Sequence, residues 1–331
     1  MNKIILSAIL LLFVAANLFS QGKEIIGGSL SAWVTCFATK GNNIYAGTCG
    51  GVFLSTDKGN SWTEKNIGLT YTSVQAIAII DTNIFVGTHL GGVFLSMDLG
   101  GSWARKNREL IDWDVNALAI KGRFIYASTY WEASVYSSFL RYDDEDSIQI
   151  RWSKKNNALP RKTVRTIAIS GEQIFVGTDS GGVFVSTDKG NNWTPKNNGL
   201  LDANVLTLAI SGDKIFVGTD SSGVYLSTDS GNSWSRRNKG LPDVKVRSIV
   251  ISGDNMFAAT ERGVFYSTDN GNNWTPKNNG ITNLNIYTLA IMGDDIFAGT
   301  WGAGIFHSAD NGNTWTQKNI GLTGNLFVPE P

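Results

Sequence analysis

Seven tryptophans recur along the chain at a spacing that few folds tolerate. Trp62, Trp103, Trp152, Trp193, Trp234, Trp274 and Trp315 lie 41, 49, 41, 41, 40 and 41 residues apart. A period near forty belongs to propellers or to stacked helical arrays. The segments within a period decide between them. In one unit, Val205–Ile210, Lys214–Thr219 and Gly223–Thr228 are short runs rich in β-branched and aromatic residues, and a fourth run opens at Trp234. Gly, Asn, Asp and Ser fill each gap, which is turn chemistry. No run has the length or the 3.6-residue period of a helix. Four strands per unit and seven units predict an all-β, seven-bladed propeller of four-stranded antiparallel blades over residues 31–322. The 37 glycines suit so many tight turns.

The turn before each Trp is the most specific motif. It reads Ser55-Thr-Asp57-Lys-Gly59-Asn-Ser-Trp62 and recurs with Asp98 before Trp103, Asp188 before Trp193, Asp229 before Trp234, Asp269 before Trp274 and Asp310 before Trp315. The aspartate is expected to accept hydrogen bonds within its own turn. The Gly takes positive φ, and the Trp buries its ring between sheets. One acid per turn is too few for calcium, so these aspartates read as structural. The pattern resembles the BNR or Asp-box repeat family, whose members include sialidases, sortilin-type receptors and photosystem II assembly-factor propellers. The resemblance implies a propeller whose ligand face lies opposite the Asp boxes.

A basic residue stands three positions after every Trp: Lys65, Lys106, Lys155, Lys196, Arg237, Lys277 and Lys318. On an exposed edge strand such residues are expected to deter edge-to-edge pairing. The third unit departs from the rest. Its Asp turn is replaced by Phe139–Ile150, which reads as an elongated hairpin with an acidic, solvated tip at Asp143–Asp146.

Composition and the N-terminus bound the function. Lys plus Arg and Asp plus Glu are equal at 28 each, which argues against a nucleic-acid partner. Residues 1–20 read as a secretory signal, with Lys3 ahead of an apolar run that is short for a membrane span and ends in small residues. Residues 21–30 read as a linker and 323–331 as a tail, and Glu24–Ile26 or Leu326–Val328 could complete the ring. The expected location is secreted or periplasmic. Cys36 and Cys49 lie on neighbouring strands of unit one. A turn at Gly41 would set Cys49 opposite Val34, diagonal to Cys36, and export would permit a bridge.

Four tryptophans are not used by the repeat: Trp33, Trp113, Trp131 and Trp301. All map to the loop face opposite the Asp turns, in neighbouring units, with Tyr71, His89 and Tyr130 in the same sector. Clustered aromatics on a loop face suit sugar stacking or a protein hot spot. The reading is a non-catalytic scaffold for a glycan or protein partner. A sialidase-like hydrolase is the alternative, carried by Arg165, Arg247, Arg262, Glu261 and Tyr287. The family's N-terminal arginine motif is absent, and the uniform units leave no room for catalytic insertions. An assembly factor is a third reading. No cofactor motif and no metal-ligand cluster stands out.

Overall fold

The computed structural model describes residues 32–142 and 148–323. The signal segment, the linker, both candidate closing strands and the acidic tip at Asp143–Asp146 lie outside the described residues. The described residues form seven four-stranded antiparallel sheets arranged as a seven-bladed propeller, without a helix. In blade two the strands are Val74–Ile80, Asn83–Thr88, Gly92–Ser96 and Ala104–Arg105. The other blades repeat this order. Blade three adds a two-stranded ribbon, Arg141–Tyr142 with Ile148–Gln149, whose Leu140, Ile148 and Ile150 are buried.

The blades are held by what lies between them. The second strand of each blade is buried almost throughout, so its alternate residues serve two different interfaces. Ile44 and Ala46 of blade one join Phe297 and Ile305 of blade seven, whereas Tyr45 joins Val74, Val86 and Trp103 of blade two. The hydrophobic core is accordingly divided into seven clusters, one per junction.

Each repeat Trp crosses its junction. The indole N–H of Trp103 donates to the carbonyl of Lys65 at 2.7 Å, that of Trp234 to Lys196 at 2.8 Å and that of Trp315 to Lys277 at 2.9 Å. The backbone N–H of the same Trp donates to the preceding blade, as from Trp103 to Ile67 O at 2.8 Å. The basic residue also joins two blades. Its carbonyl receives the indole, and its side chain reaches forward to the next turn, as Lys155 Nζ does to Asn191 Oδ1 at 2.7 Å.

The ring closes through the same contacts. Trp62 of blade one donates to Lys318 O at 2.9 Å, and Lys318 Nζ donates to Asn60 Oδ1 at 2.6 Å. Gly321 has φ +81°, and a Cβ there would stand 2.2 Å from Trp62 O, so the close approach demands glycine. Lys58 reaches Asp295 across this junction at 2.8 Å, and His307, in the same blade as Asp295, contacts it at 2.7 Å. His307 thus belongs to a strand wall.

The aspartate turns saturate their own carboxylates. Asp57 accepts the Ser61 hydroxyl at 2.6 Å, the Ser61 N–H at 2.9 Å and the Ser55 hydroxyl at 2.7 Å. These bonds, the Ser61 hydroxyl foremost, lower its pKa to about 2. Asp98, Asp188, Asp229 and Asp310 are likewise held near about 2, and Asp269 is lowered. Asn66 and its equivalents pin the opposite end of the blade. Its amide bridges Val52 N and Gly50 O, each at 2.9 Å.

The two cysteines are free thiols. Lys40 pairs with Asn43 as the Gly41 turn requires, but the register slips by one between Cys36 and Val34. Thr48, not Cys49, stands opposite Val34, and Cys49 falls beyond the strand. Burial pushes the Cys36 thiol up to about 12 and the Cys49 thiol to about 11.

Two outcomes follow for stability. Trp193→Ala removes a buried ring and a cross-junction bond, and should cost about 3–5 kcal/mol in urea unfolding. The turn aspartates carry folded pKa values below the unfolded value of about 3.9. Their stabilisation is present above that value and is lost as pH falls through about 2. The urea midpoint should therefore drop between about pH 4 and pH 2. The drop should shrink when Asp57, Asp188 and Asp310 are changed to Asn together.

Candidate functional site

The register slip seen in blade one occurs in every inner strand, always one residue after its first Val or Ile. A bulge leaves one residue unpaired and re-aims its side chain. The seven bulge residues are Thr35, Gln75, Asn116, Arg165, Leu206, Arg247 and Tyr287. All seven line a single cavity of about 660 Å³. Because the bulges sit where the inner strands begin, the cavity opens on the face opposite the aspartate turns. Loop residues on that face complete it, among them Asp179, Asn204, Asp220, Lys245 and Trp301.

The charges within it are mostly spent on one another. Arg165 grips Asp179 through Nε at 2.8 Å and Nη2 at 2.7 Å. Lys245 Nζ stands 2.8 Å from Asp220. Arg247 differs. Its Nη1 donates to the Asn285 side-chain carbonyl at 2.9 Å, and among the described residues no carboxylate lies within ion-pair distance of it. Burial pulls its pKa down, against the pull of Tyr287, Glu261 and Asp220. Tyr287 lies beneath this guanidinium, 5.6 Å from ring centroid to Cζ, and burial raises its pKa.

Trp33 and Trp301 come from blades one and seven and stack at 4.0 Å between centroids and 27° between planes. Trp33 also meets Tyr287 edge-on at 5.5 Å. The Trp301 backbone N–H donates to Asn285 O at 3.1 Å, and Asn283 Nδ2 donates to Trp301 O at 2.7 Å. Asn285 thus bonds both Arg247 and Trp301.

The remaining aromatics form a second group over blades two and three. Arg105 lies over Trp113 at 4.3 Å and Tyr71 at 5.3 Å. His89 Nδ1 meets the buried Asp114 at 2.9 Å. Trp131 is 70% exposed and touches Tyr130 edge-on at 5.0 Å. Trp113 and Trp131 line a shallow groove of about 340 Å³ with Leu90 and Ile111. Tyr130 connects the two groups, since Arg165 lies 5.4 Å from its ring.

The structure therefore divides the aromatic set nominated from sequence. Trp33 and Trp301 stand at the cavity. Trp113 and Trp131 line the groove, Tyr71 and His89 join it only through Arg105 and Asp114, and Tyr130 lies between the two groups. Of the residues nominated for hydrolysis, Arg165, Arg247 and Tyr287 line the cavity, whereas Glu261 and Arg262 are exposed and lie outside its lining. Sequence reasoning did not select Gln75, Asn116, Asn204, Lys245 or Asn285. A signal for the first two existed: the residue after the first Val or Ile of each inner strand varies freely in otherwise uniform repeats. Among the described residues no group of three or more potential ligands could hold a metal, and no helix is long and apolar enough to cross a membrane.

A closed ring of blades around a polar cavity defines this chain as a β-propeller. Residues 114–244 and 203–327 match the model of the DUF6242 beta propeller domain, and the chain belongs to that family. No curated protein matches it. Among solved structures it resembles the extracellular domain of a putative hybrid two component system from B. thetaiotaomicron, with TM-score 0.68 and 18% identity over 86% of this chain. The chain spans only 39% of that protein. It also resembles the GH74 xyloglucanase from Xanthomonas campestris, with TM-score 0.67 and 14% identity over 88% of this chain and 55% of the enzyme. A third likeness is to YCF48 bound to D1 peptide, with TM-score 0.65 and 13% identity over 83% of this chain and 92% of the other.

Stability should separate the two most exposed site tryptophans. Trp301→Ala uncovers Trp33 and should cost about 1–2 kcal/mol in urea unfolding. Trp131→Ala, which frees a largely solvated ring, should cost about 0.5 kcal/mol or less.

Proposed function

We propose that this chain is an exported, non-catalytic propeller that binds a partner through the face opposite its aspartate turns. The observation that carries this reading is the cavity at the channel mouth, where seven bulges aim seven side chains inward beside the stacked Trp33 and Trp301. A cavity of about 660 Å³ lies within the range of small-molecule sites. Its stacking indoles and convergent polar groups are the features that orient a ligand. The exposed Trp131 and the groove beside Trp113 extend the surface outward and suit a longer partner.

The turns with Ser, Asp, Gly and Trp are read here as Asp boxes of the BNR kind, serving the scaffold. The fold alone does not choose the ligand, because neighbours of this shape include a xyloglucanase and a protein bound to a peptide. The amide and hydroxyl lining favours a glycan. Hydrolysis is not favoured. It needs two carboxyl groups with separate acid and base roles. Asp179 and Asp220 are each tied to a cation, and Glu261 lies outside the cavity lining. Export is supported by the N-terminal apolar segment and by likeness to an extracellular domain.

A glycan array run beside a pull-down on the mature chain is the direct test. Trp301→Ala should weaken the best partner by about thirtyfold, as loss of an aromatic hot spot does. Unchanged affinity in the Trp131→Ala, Trp301→Ala double variant would place binding elsewhere. Sialosides and aryl glycosides should show no turnover, and turnover abolished by Arg165→Ala or Arg247→Ala would restore the hydrolase reading.

A further inference from the structure

The cavity's charge balance narrows the ligand further. Its lining holds three cations and two carboxylates. Arg165 is matched by Asp179, and Lys245 by Asp220. Arg247 is left with only neutral partners, Asn285 and the Ile286 carbonyl. A half-buried guanidinium without an anion is costly unless something supplies one. It is also held in place. Asn285 accepts from Arg247 through its side chain and from the Trp301 backbone through its own carbonyl. The cation and the indole are therefore fixed relative to each other before anything binds, which reduces the cost of ordering on association. Trp33 covers one side of the Trp301 ring, and 46% of Trp301 stays exposed.

We infer that this cavity takes one anionic residue of an acidic saccharide, its charged group on Arg247 and its ring face against Trp301. This rests on the reading of the propeller face as a binding site and adds the chemistry of the ligand. A single surplus cation calls for a single negative charge per residue, a carboxylate or a sulfate ester. A guanidinium presents N–H donors in a fixed fork that matches either group. The hydroxyls of a sugar find their partners in Gln75, Asn116, Asn204 and Thr207. An acidic peptide offers no hydroxylated ring to lie on Trp301 and no set of hydroxyls for the amide lining, which holds Leu206 as its one aliphatic side chain.

Four probes test this by titration calorimetry at low ionic strength: tetragalacturonate, its full methyl ester, a 6-sulfated galactose tetrasaccharide and N-acetyl tetraglutamate. At least one acidic saccharide should bind. The methyl ester, which keeps the sugar skeleton but replaces each carboxylate by a neutral, slightly bulkier ester, should bind about tenfold to a hundredfold more weakly. The peptide should bind more weakly than the saccharides. Arg247→Met should lower affinity for the acidic saccharide to the level of the ester, and Arg247→Lys should keep a preference for the acid. Trp301→Ala should weaken acid and ester alike. Thermal melts confirm that each variant is folded. Equal affinity for acid and ester, peptide binding as tight as saccharide, an unaffected Arg247→Met, or no binding of either acidic saccharide would each overturn the inference. If acid and ester bind equally and both depend on Trp301, the inference fails while the binding face stands. If acid binding survives both Arg247→Met and the Trp131→Ala, Trp301→Ala double variant, both fail.

Discussion

The ring depends on an indole N–H whose constant acceptor lies in the neighbouring blade. Each repeat Trp is buried, and its donor is met by the carbonyl of a Lys or Arg in the blade before it. A buried donor left unmatched costs more than the bond contributes when made. A lone blade would lose that cross-junction acceptor and leave two apolar faces open. Stacking the next blade answers both at once. In blade three a longer ribbon delivers Trp152 to Lys106 O at 2.7 Å; in the other six blades the delivery is by the aspartate turn. It fixes the chain direction at the end of the third strand, so the ring enters the junction instead of solvent. Scaffold chemistry is thus concentrated on one face, where the aspartates are satisfied within their turns and have little left to offer a ligand.

The opposite face is built by departures from regularity. A regular inner strand would point its residues into the two neighbouring junctions. The bulge interrupts that alternation once per blade and turns one side chain toward the axis. Positions that make the fold and positions that line the cavity are consequently different positions. The first repeat almost unchanged around the ring, as Val34, Val74, Val115 and Val164 show. The second read Thr, Gln, Asn, Arg, Leu, Arg and Tyr in turn.

This separation explains what the sequence disclosed. Blade number, strand count and the aspartate turn were legible because each is a local pattern repeated many times. The loop face was legible because chain direction alternates strand by strand. The cavity was not. It depends on a one-residue slip in pairing, which no local propensity announces, and the same slip moved Cys49 out of the position expected from the Gly41 turn. The role of Lys65 and its equivalents was hidden for another reason. Their working atom is a main-chain carbonyl, on which side-chain identity is silent. The nominated arginines came together only in part, because Arg262 lies in a short loop between the second and third strands that keeps it outside the lining.

The junction between the last blade and the first is made of the same parts as the other six. Trp62 meets Lys318 as Trp103 meets Lys65, and among the described residues no strand is exchanged across the join. The circle therefore has no privileged seam. Its circumference is set by the wedge angle that each junction subtends, and the place where the polypeptide begins is immaterial to the geometry. A chain opened between any other two blades would meet, among the described residues, the same set of junction contacts.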